Sequence, residues 1–379
     1  MKILFYLRVV VMGGAERYLL TLLPELKKQN IEVGFFCTLQ DNNQEIINRF
    51  AEYYKQYDIP VYICKASSPV SLKAASSLAK VIKKGNYSIL SAHLIHAEII
   101  SSLSKIFFHT HCKLVVTKHG YLQKFMDVHG LDYTKVNRLS VSYQVEKFLQ
   151  YFVADNFSVS VGLANFYIKS GICQSSKMSV IHHGLEPDFS IRSDLKLRYS
   201  DNQLLIIGRL RRLKGHHLLI KAVKLLNTEI PDIKLIILGQ GEEMPVLVKM
   251  VNESNLNSTV IFAGYTDNVS DYIKCSDIVV APSTAEAFGL MVLEAYSCAK
   301  PVVAFNVTAF DENIIDNETG CLVVPYSIEE MAAKIKYLLQ NKNIATQFGL
   351  NGARLLKNKF SLSEAIAKTI AFFEKQCVD

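Results

Sequence analysis

The sequence predicts an α/β protein made of two doubly wound parallel sheets, each in its own domain. The chain has 379 residues, and at about 100 to 200 residues per domain this length suits two domains. Half of the residues are apolar and only 20% are charged, which excludes disordered and collagen-like chains. Short apolar runs recur between longer segments of helical spacing, as repeated βαβ units require.

The predicted strands are short runs rich in Val, Ile and aromatic residues. In the first half they are Lys2–Leu7, Glu32–Leu39, Pro60–Lys65, Ser88–His93, Lys113–His119, Phe157–Gly162 and Ser179–His182. In the second half they are Leu204–Gly208, Lys234–Gly239, Thr259–Gly264, Asp277–Ser283, Pro301–Val307 and Cys321–Pro325. Intervening helices would cover both faces of each sheet.

A polar stretch separates the two halves. Residues 184–203 show no sustained periodicity, so the linker is predicted there, with a boundary near Phe189. The expected parts are an N-terminal domain (1–188), a second domain (189–360) and a C-terminal helix (361–379) that can pack back on the first domain.

Charge and cysteine usage narrow the class of protein. The net charge of +7 is modest, so no nucleic-acid partner is expected. The whole excess lies in residues 1–188, which hold 21 basic and 14 acidic side chains. The sequence has no apolar run of about 18 residues and no signal peptide pattern. Eight scattered cysteines indicate buried, reduced thiols of a cytoplasmic protein.

Several motifs follow predicted strands, where parallel sheets bind ligands. Gly13 and Gly14 follow the first strand and can leave backbone N–H groups open to an anion, although a simple tight turn fits equally well. Arg209 and Lys214 follow the strand at 204–208 and suit one diphosphate. The alternative is a solvated basic turn, because two more arginines stand between them. No complete dinucleotide-binding glycine motif or Walker A sequence occurs.

The segment 284–295 carries the most specific pattern. A helix is predicted to begin near residue 288, which puts Glu286 in the preceding loop and Glu294 in the second turn. The first N–H groups of this helix, at Phe288, Gly289, Leu290 and Met291, would suit a diphosphate. Glu294 could accept hydrogen bonds from a ribose and Glu286 from a sugar. The alternative is an amphipathic helix with two ordinary surface carboxylates.

Taken together, these motifs resemble those of the retaining nucleotide-sugar glycosyltransferases of family 4. The resemblance rests on the Gly-Gly turn, on Arg209 with Lys214, on Gly239-Gln240-Gly241, and on two glutamates separated by seven residues. It spans residues 1 to about 345 and implies the GT-B fold, two Rossmann-like domains facing a cleft.

The resemblance also implies roles for single residues. Arg209 and Lys214 would hold the donor diphosphate, Glu294 the ribose, and Glu286 and His119 the donor sugar. The other implied donor-binding positions are Gly13, Gly14, Gly239, Gly241, Phe288, Gly289, Leu290 and Met291. His93 and His96 are interpreted as structural. No Asp-x-Asp sequence or metal-ligand cluster occurs, so neither a metal nor a cofactor is expected.

The implied activity is transfer of a sugar from a nucleoside-diphosphate sugar, with UDP favoured, to a glycan acceptor with retention. A nucleotide-sugar epimerase and a non-catalytic sugar-nucleotide-binding protein are the alternatives. The basic first half suggests an acceptor at an anionic membrane surface, such as a lipid-linked surface-polysaccharide or lipopolysaccharide intermediate. The expected surface combines Lys73, Lys80, Lys83, Lys84, Lys105, Lys113, Lys118, Lys124, Lys135, Arg138 and Lys147 with Ile106, Phe107, Phe108, Tyr121, Leu122, Phe125 and Met126. The alternative is a core phenylalanine pair and lysines that only keep the protein in solution.

Overall fold

A computed structural model describes residues 1–10, 13–39, 44–66, 68, 70–121, 133–188 and 197–378. Contacts within the chain divide it into two compact units. The first unit contains Met1–His183 and Ser363–Asp379, and the second contains Gly184–Leu362. Phe189, where the sequence predicts the boundary, lies outside the described residues.

The first unit is built on a parallel sheet. Its strands are β1 (Lys2–Val9), β2 (Glu32–Leu39), β3 (Val61–Lys65), β4 (Ile89–His93), β5 (Lys113–Lys118), β6 (Asp155–Ser158) and β7 (Met178–Val180). Its helices are α1 (Gly14–Lys28), α2 (Gln44–Lys55), α3 (Leu72–Gly85), α4 (Leu94–Phe108), α5 (Val141–Leu149) and α6 (Val161–Lys169). After its first residue every position of β1 and β2 is buried. Both faces of the sheet are therefore covered, which explains the continuous apolar runs.

The second unit repeats this plan with a six-stranded sheet. Its strands are β8 (Gln203–Ile207), β9 (Lys234–Leu238), β10 (Val260–Gly264), β11 (Ile278–Ala281), β12 (Val302–Phe305) and β13 (Gly320–Val323). Its helices are α7 (His216–Asn227), α8 (Met244–Glu253), α9 (Val269–Lys274), α10 (Leu290–Ser297), α11 (Phe310–Asn313), α12 (Ile328–Gln340) and α13 (Lys342–Lys359). The prediction of two doubly wound parallel sheets is confirmed.

Strand order places one switch point in each sheet. The orders are β3-β2-β1-β4-β5-β6-β7 and β10-β9-β8-β11-β12-β13. In the first unit the successive strands β1 to β3 run toward one edge of the sheet, and β4 then lies on the other side of β1 and starts the series toward the opposite edge. In the second unit β8 and β11 stand in the same relationship. Loops leaving the carboxyl ends of such strand pairs diverge and leave a crevice, the usual ligand site of this class of sheet.

One strand prediction is wrong in its second half. The predicted strand Phe157–Gly162 ends at Ser158, and α6 begins at Val161. The Ser160 side chain accepts a hydrogen bond from the N–H of Leu163 at 3.1 Å, so it caps the helix inside the apolar run.

The C-terminal helix α14 (Leu362–Val378) packs on the sheet of the first unit. The ring of Phe373 lies 5.7 Å from that of Phe5 in β1. The ring of Phe372 lies 5.1 Å from that of Phe157 in β6. The helix therefore supplies aromatic side chains to a core whose first buried residue is Ile3 in β1.

Within the described ranges, no helix combines the length and apolar character needed to cross a bilayer. All eight cysteines are free thiols. Seven of them are buried, as predicted, and Cys377 is exposed.

Candidate functional site

The loop after β8 carries Arg209 at the switch point of the second unit. The N–H of Gly208 donates to the carbonyl of Leu238 at 3.0 Å, and the N–H of Leu210 donates to that of Gln240 at 2.9 Å. These bonds tie the loop to the one that follows β9. The exposed side chain of Arg209 is therefore carried by a backbone that hydrogen bonds hold on both sides.

Gly239 and Gly241 allow these two loops to run side by side. A side chain at Gly239 would overlap the carbonyl oxygen of Gly208, and one at Gly241 would overlap that of Leu210. Gly239 also has a φ of 148°, a conformation that L side chains rarely adopt. The sequence predicts these glycines in the donor site. In the structure, the space beside each glycine where a side chain would lie is filled by the backbone of the loop that carries Arg209.

Lys214 ends a short 3-10 turn, Arg212–Lys214, and is followed by Gly215 with a φ of 71°. A side chain at Gly215 would overlap the carbonyl oxygen of Pro282, which follows β11. The N–H of Thr284 donates to the carbonyl of Leu213 at 2.8 Å. The segments after β8 and β11 are thereby fastened together at the switch point.

Lys214 and Glu286 form an ion pair across this switch point. Their Nζ and Oε2 atoms are 2.5 Å apart, and both side chains are largely buried. The other carboxylate oxygen of Glu286 accepts the N–H of Ala287 at 3.3 Å. An ammonium group has three N–H donors, and Glu286 takes one of them.

The two arginines between Arg209 and Lys214 have partners elsewhere. Arg211 lies 3.6 Å from the carboxylate of Glu242, and Arg212 lies 3.9 Å from that of Glu243. Both acidic residues stand just before α8. Arg211 and Arg212 therefore face α8, whereas Lys214 is paired with Glu286 in the loop after β11.

Helix α10 begins at Leu290, two residues later than predicted, with Gly289 as its N-cap at a φ of 83°. The side chains of Phe288 and Met291 are buried in the core, and the carbonyl of Phe288 accepts a hydrogen bond from the Asn313 side chain. Glu294 lies in the second turn of the helix, as predicted, and is partly exposed. The N–H groups of a helix's first turn lack intrahelical acceptors.

The Gly-Gly turn of the first unit differs from the expectation. Helix α1 begins at Gly14, with Gly13 as its N-cap. The N–H of Gly13 donates to the carboxylate of Glu16 at 3.1 Å, which closes a capping box. The N–H of Gly13 is therefore already used by a carboxylate of the same helix.

His119 directly follows β5 and contacts His93, the last residue of β4. The Nδ1 atom of His93 lies 2.7 Å from the Nε2 atom of His119, and the Nε2 atom of His93 lies 3.1 Å from the Ser91 hydroxyl. The His119 ring also stacks on His183, with centroids 5.7 Å apart. His93, interpreted from the sequence as structural, is thus a direct partner of a candidate site residue.

Burial keeps these imidazoles neutral. Burial, together with nearby His183, lowers the pKa of His93 to about 3. Burial also holds the pKa values of His119 and His183 well below the ordinary value. Between two neutral rings, one nitrogen donates and the other accepts. The chain of contacts therefore couples the tautomer of His119 to that of His93.

A buried ionic network lies beside this histidine pair. Lys118, which precedes His119, has its Nζ atom 2.8 Å from Glu98 and 3.1 Å from Glu146. Burial alone would lower the pKa of Lys118, but the two carboxylates raise it well above the ordinary value. Gln150 donates to the second oxygen of Glu98 at 2.7 Å. This network anchors the end of β5.

Among the residues that the structure describes, no group of three or more His, Cys, Asp or Glu side chains could hold a metal ion.

Two protein families match adjoining parts of the chain. Glycosyltransferase Family 4 matches residues 12–189, and Glycosyl transferases group 1 matches residues 188–355. The alpha-D-kanosaminyltransferase of Streptomyces kanamyceticus is 31% identical over 46% of this chain and 46% of its own length. The capsular polysaccharide biosynthesis glycosyltransferase CapM of Staphylococcus aureus is 25% identical over 61% of this chain and 64% of its own. The chain thus spans less than two thirds of the length of either relative.

The fold also matches solved structures over nearly its whole length. The crystal structure of Anabaena HepE in complex with UDP and glucose has a TM-score of 0.82 at 21% identity, and covers 99% of both chains. The two family matches are consecutive and together span residues 12–355. The chain belongs to the family 4 type of glycosyltransferases, with the GT-B fold that its sequence predicts.

Proposed function

We propose that the protein transfers a sugar from a nucleoside-diphosphate sugar to a glycan acceptor, with retention of anomeric configuration and without a metal ion. The observation that carries the proposal is the Lys214–Glu286 ion pair at the switch point. It places a cation and a carboxylate side by side where sheets of this class bind nucleotides.

This pair suits both halves of a sugar nucleotide. Lys214 keeps N–H donors for the diphosphate, and Arg209 adds a planar fork from the same loop. Glu286 keeps lone pairs for sugar hydroxyls. Glu294, in the second turn of α10, can accept hydrogen bonds from the ribose. As the diphosphate leaves, the cations and the backbone N–H groups of Leu290 and Met291 stabilise the growing negative charge. A divalent ion would then be redundant.

The donor is proposed to be a UDP-sugar and the acceptor a lipid-linked intermediate of a surface polysaccharide or lipopolysaccharide. Two comparisons support this. HepE was crystallised with UDP and glucose, and CapM is a capsular polysaccharide biosynthesis glycosyltransferase. The enzyme would work in the cytoplasm, at the inner face of the plasma membrane, as the basic excess of residues 1–188 favours.

Thermal unfolding with UDP, GDP and ADP tests the donor. A nucleotide at about 100 times its dissociation constant adds about 2.7 kcal/mol of stability. We expect UDP to raise the Tm most. A rise with none of the three would contradict a nucleoside-diphosphate site.

Transfer assays test the reaction itself. UDP release should depend on an acceptor and survive excess EDTA, and the product should keep the anomeric configuration of the donor. An epimerase would instead convert the donor without an acceptor. Activity lost in EDTA and restored by magnesium or manganese would refute metal independence.

A further inference from the structure

Helix α5 and its flanks expose an apolar stripe. Its residues are Leu139, Val141, Val145, Phe148 and Tyr151, with relative exposures of 88%, 80%, 39%, 53% and 81%. We call these five residues the α5 stripe. Single exposed apolar residues are ordinary on a protein surface, but five within thirteen positions mark an interaction surface.

The helix has a second face that accounts for its folding. Tyr143, Glu146 and Leu149 are buried against the first unit, and they recur at the spacing of one helical face. The Tyr143 hydroxyl donates to the carbonyl of Ser170 at 3.0 Å. The α5 stripe is therefore not needed to hold the helix in place, which leaves it available to a partner.

The exposed charges in positions 133–151 are all positive. Lys135, Arg138 and Lys147 are exposed. The only acidic residue in positions 133–151 is Glu146, which is buried beside Lys118. Positions 133–151 thus combine exposed apolar side chains with cations and hold no exposed carboxylate, as binding to an anionic lipid interface requires.

The structure changes the surface that the sequence predicts. Phe107 and Phe108 are exposed, at 56% and 38%, so they are not a core pair. Lys118 is buried in an ionic network and cannot meet lipid. Leu122, Lys124, Phe125 and Met126 lie outside the described residues. The lysines of α3 are exposed, but the helix itself adds only Leu72 as an exposed large apolar residue.

We propose that the α5 stripe docks this protein on an anionic bilayer surface. The proposal rests on the proposed membrane-linked acceptor and names the surface that reaches it. A second copy of the chain is a poorer occupant. A two-fold contact through this face would bring Arg138 and Lys147 of both copies together, and like charges repel.

Co-sedimentation of the full chain with vesicles tests the proposal, using phosphatidylcholine alone and an equimolar mixture with phosphatidylglycerol. Leu139→Ser with Val141→Ser removes apolar contact at two of the most exposed positions and should weaken partitioning about tenfold or more. Arg138→Gln with Lys147→Gln should weaken it about 30-fold, at about 1 kcal/mol per cation near the surface. Lys80→Gln with Lys84→Gln on α3 is the control with the same charge change.

Anionic binding that both α5 variants lose and the α3 variant keeps would support the proposal. Equal recovery with neutral and anionic vesicles, or an equal loss in the α3 variant, would overturn it. A wild-type dimer that Leu139→Ser with Val141→Ser dissociates, with no vesicle binding, would assign the stripe to a second copy instead. The Tm shift with UDP should be unchanged in all variants. If UDP does not shift the Tm of the wild type, the proposed function is wrong, whereas the vesicle result still holds.

Discussion

The Nδ1 atom of His93 lies 2.7 Å from the Nε2 atom of His119. His93 ends β4 and His119 directly follows the neighbouring parallel strand β5, so the sheet itself sets their separation. Ser91, two residues earlier on β4, contacts the other nitrogen of His93. The contact gives His119 a fixed ring orientation and a partner that decides which of its nitrogens carries the proton.

We predict that His93 is a positioning residue. His93→Ala should lower kcat roughly tenfold or more, because His119 loses its tautomer partner, while the KM for the donor changes little. His93→Asn can replace the lost nitrogen near its original place and should restore part of kcat. Steady-state kinetics on both variants provide the measurement. Equal losses in the two variants would point to a packing role only.

Acid should destabilise the first unit through its buried histidines. Their folded-state pKa values are depressed, to about 3 for His93, while unfolded imidazoles bind protons near 6.5. The unfolded state therefore binds more protons below pH 6.5, and stability falls as the pH falls. Each such histidine contributes at most about 1.4 kcal/mol per pH unit. Unfolding of wild type and His93→Asn between pH 7 and 4 should give a shallower slope for the variant. The surface variant His111→Asn is the control, and its slope should match that of the wild type.

Lys214 and Glu286 should behave as a coupled pair. Lys214→Ala should cost about 2 to 4 kcal/mol in kcat/KM, as should Arg209→Ala, because each removes a donor to the leaving diphosphate. In a double-mutant cycle, Lys214→Ala with Glu286→Gln should cost less than the sum of the single changes, since their atoms are in contact. Strict additivity would show that the ion pair has no role, and wild-type turnover in Lys214→Ala would refute the site.

Gly215 should tolerate no side chain. Gly215→Ala introduces an overlap with the carbonyl of Pro282 at a φ of 71°, and should destabilise the second unit by about 2 to 4 kcal/mol. The control is Gly120→Ala, where nothing lies within 4 Å of the added carbon. Thermal unfolding measures both. A variant with unchanged Tm and an unchanged UDP shift would show that the turn adapts.

The strands were predictable because their burial on both faces leaves continuous apolar runs. The prediction fails at 159–162 for the same reason. Val159 is buried like the strand residues before it, and an apolar run does not by itself separate the end of a strand from the start of a buried helix. In the structure the hydrogen bonds from Leu163 to the Ser160 side chain and from Ala164 to the Ser160 carbonyl mark the change.

The sequence predicts candidate site residues at the ends of strands, but it does not show which of them form pairs. Lys214 and Glu286 are 72 positions apart, and they meet because β8 and β11 are neighbours in the sheet. His93 could have been found from the same rule, since it ends a strand just as His119 follows one. Without the strand order, nothing in the sequence connects it with His119. The α5 stripe could not be predicted for another reason. The sequence pattern of an apolar helix face is the same whether that face is buried or exposed.

The position of α14 has a consequence for how this chain is made. Residues 363–379 belong to the first unit, although the whole second unit lies between them and residue 183. A ribosome therefore releases every residue of the second unit before it releases the helix that carries Phe372 and Phe373. During synthesis the second unit can fold as a continuous segment, while the first keeps part of its core open until α14 has been made. Loss of α14 would destabilise the unit that is translated first.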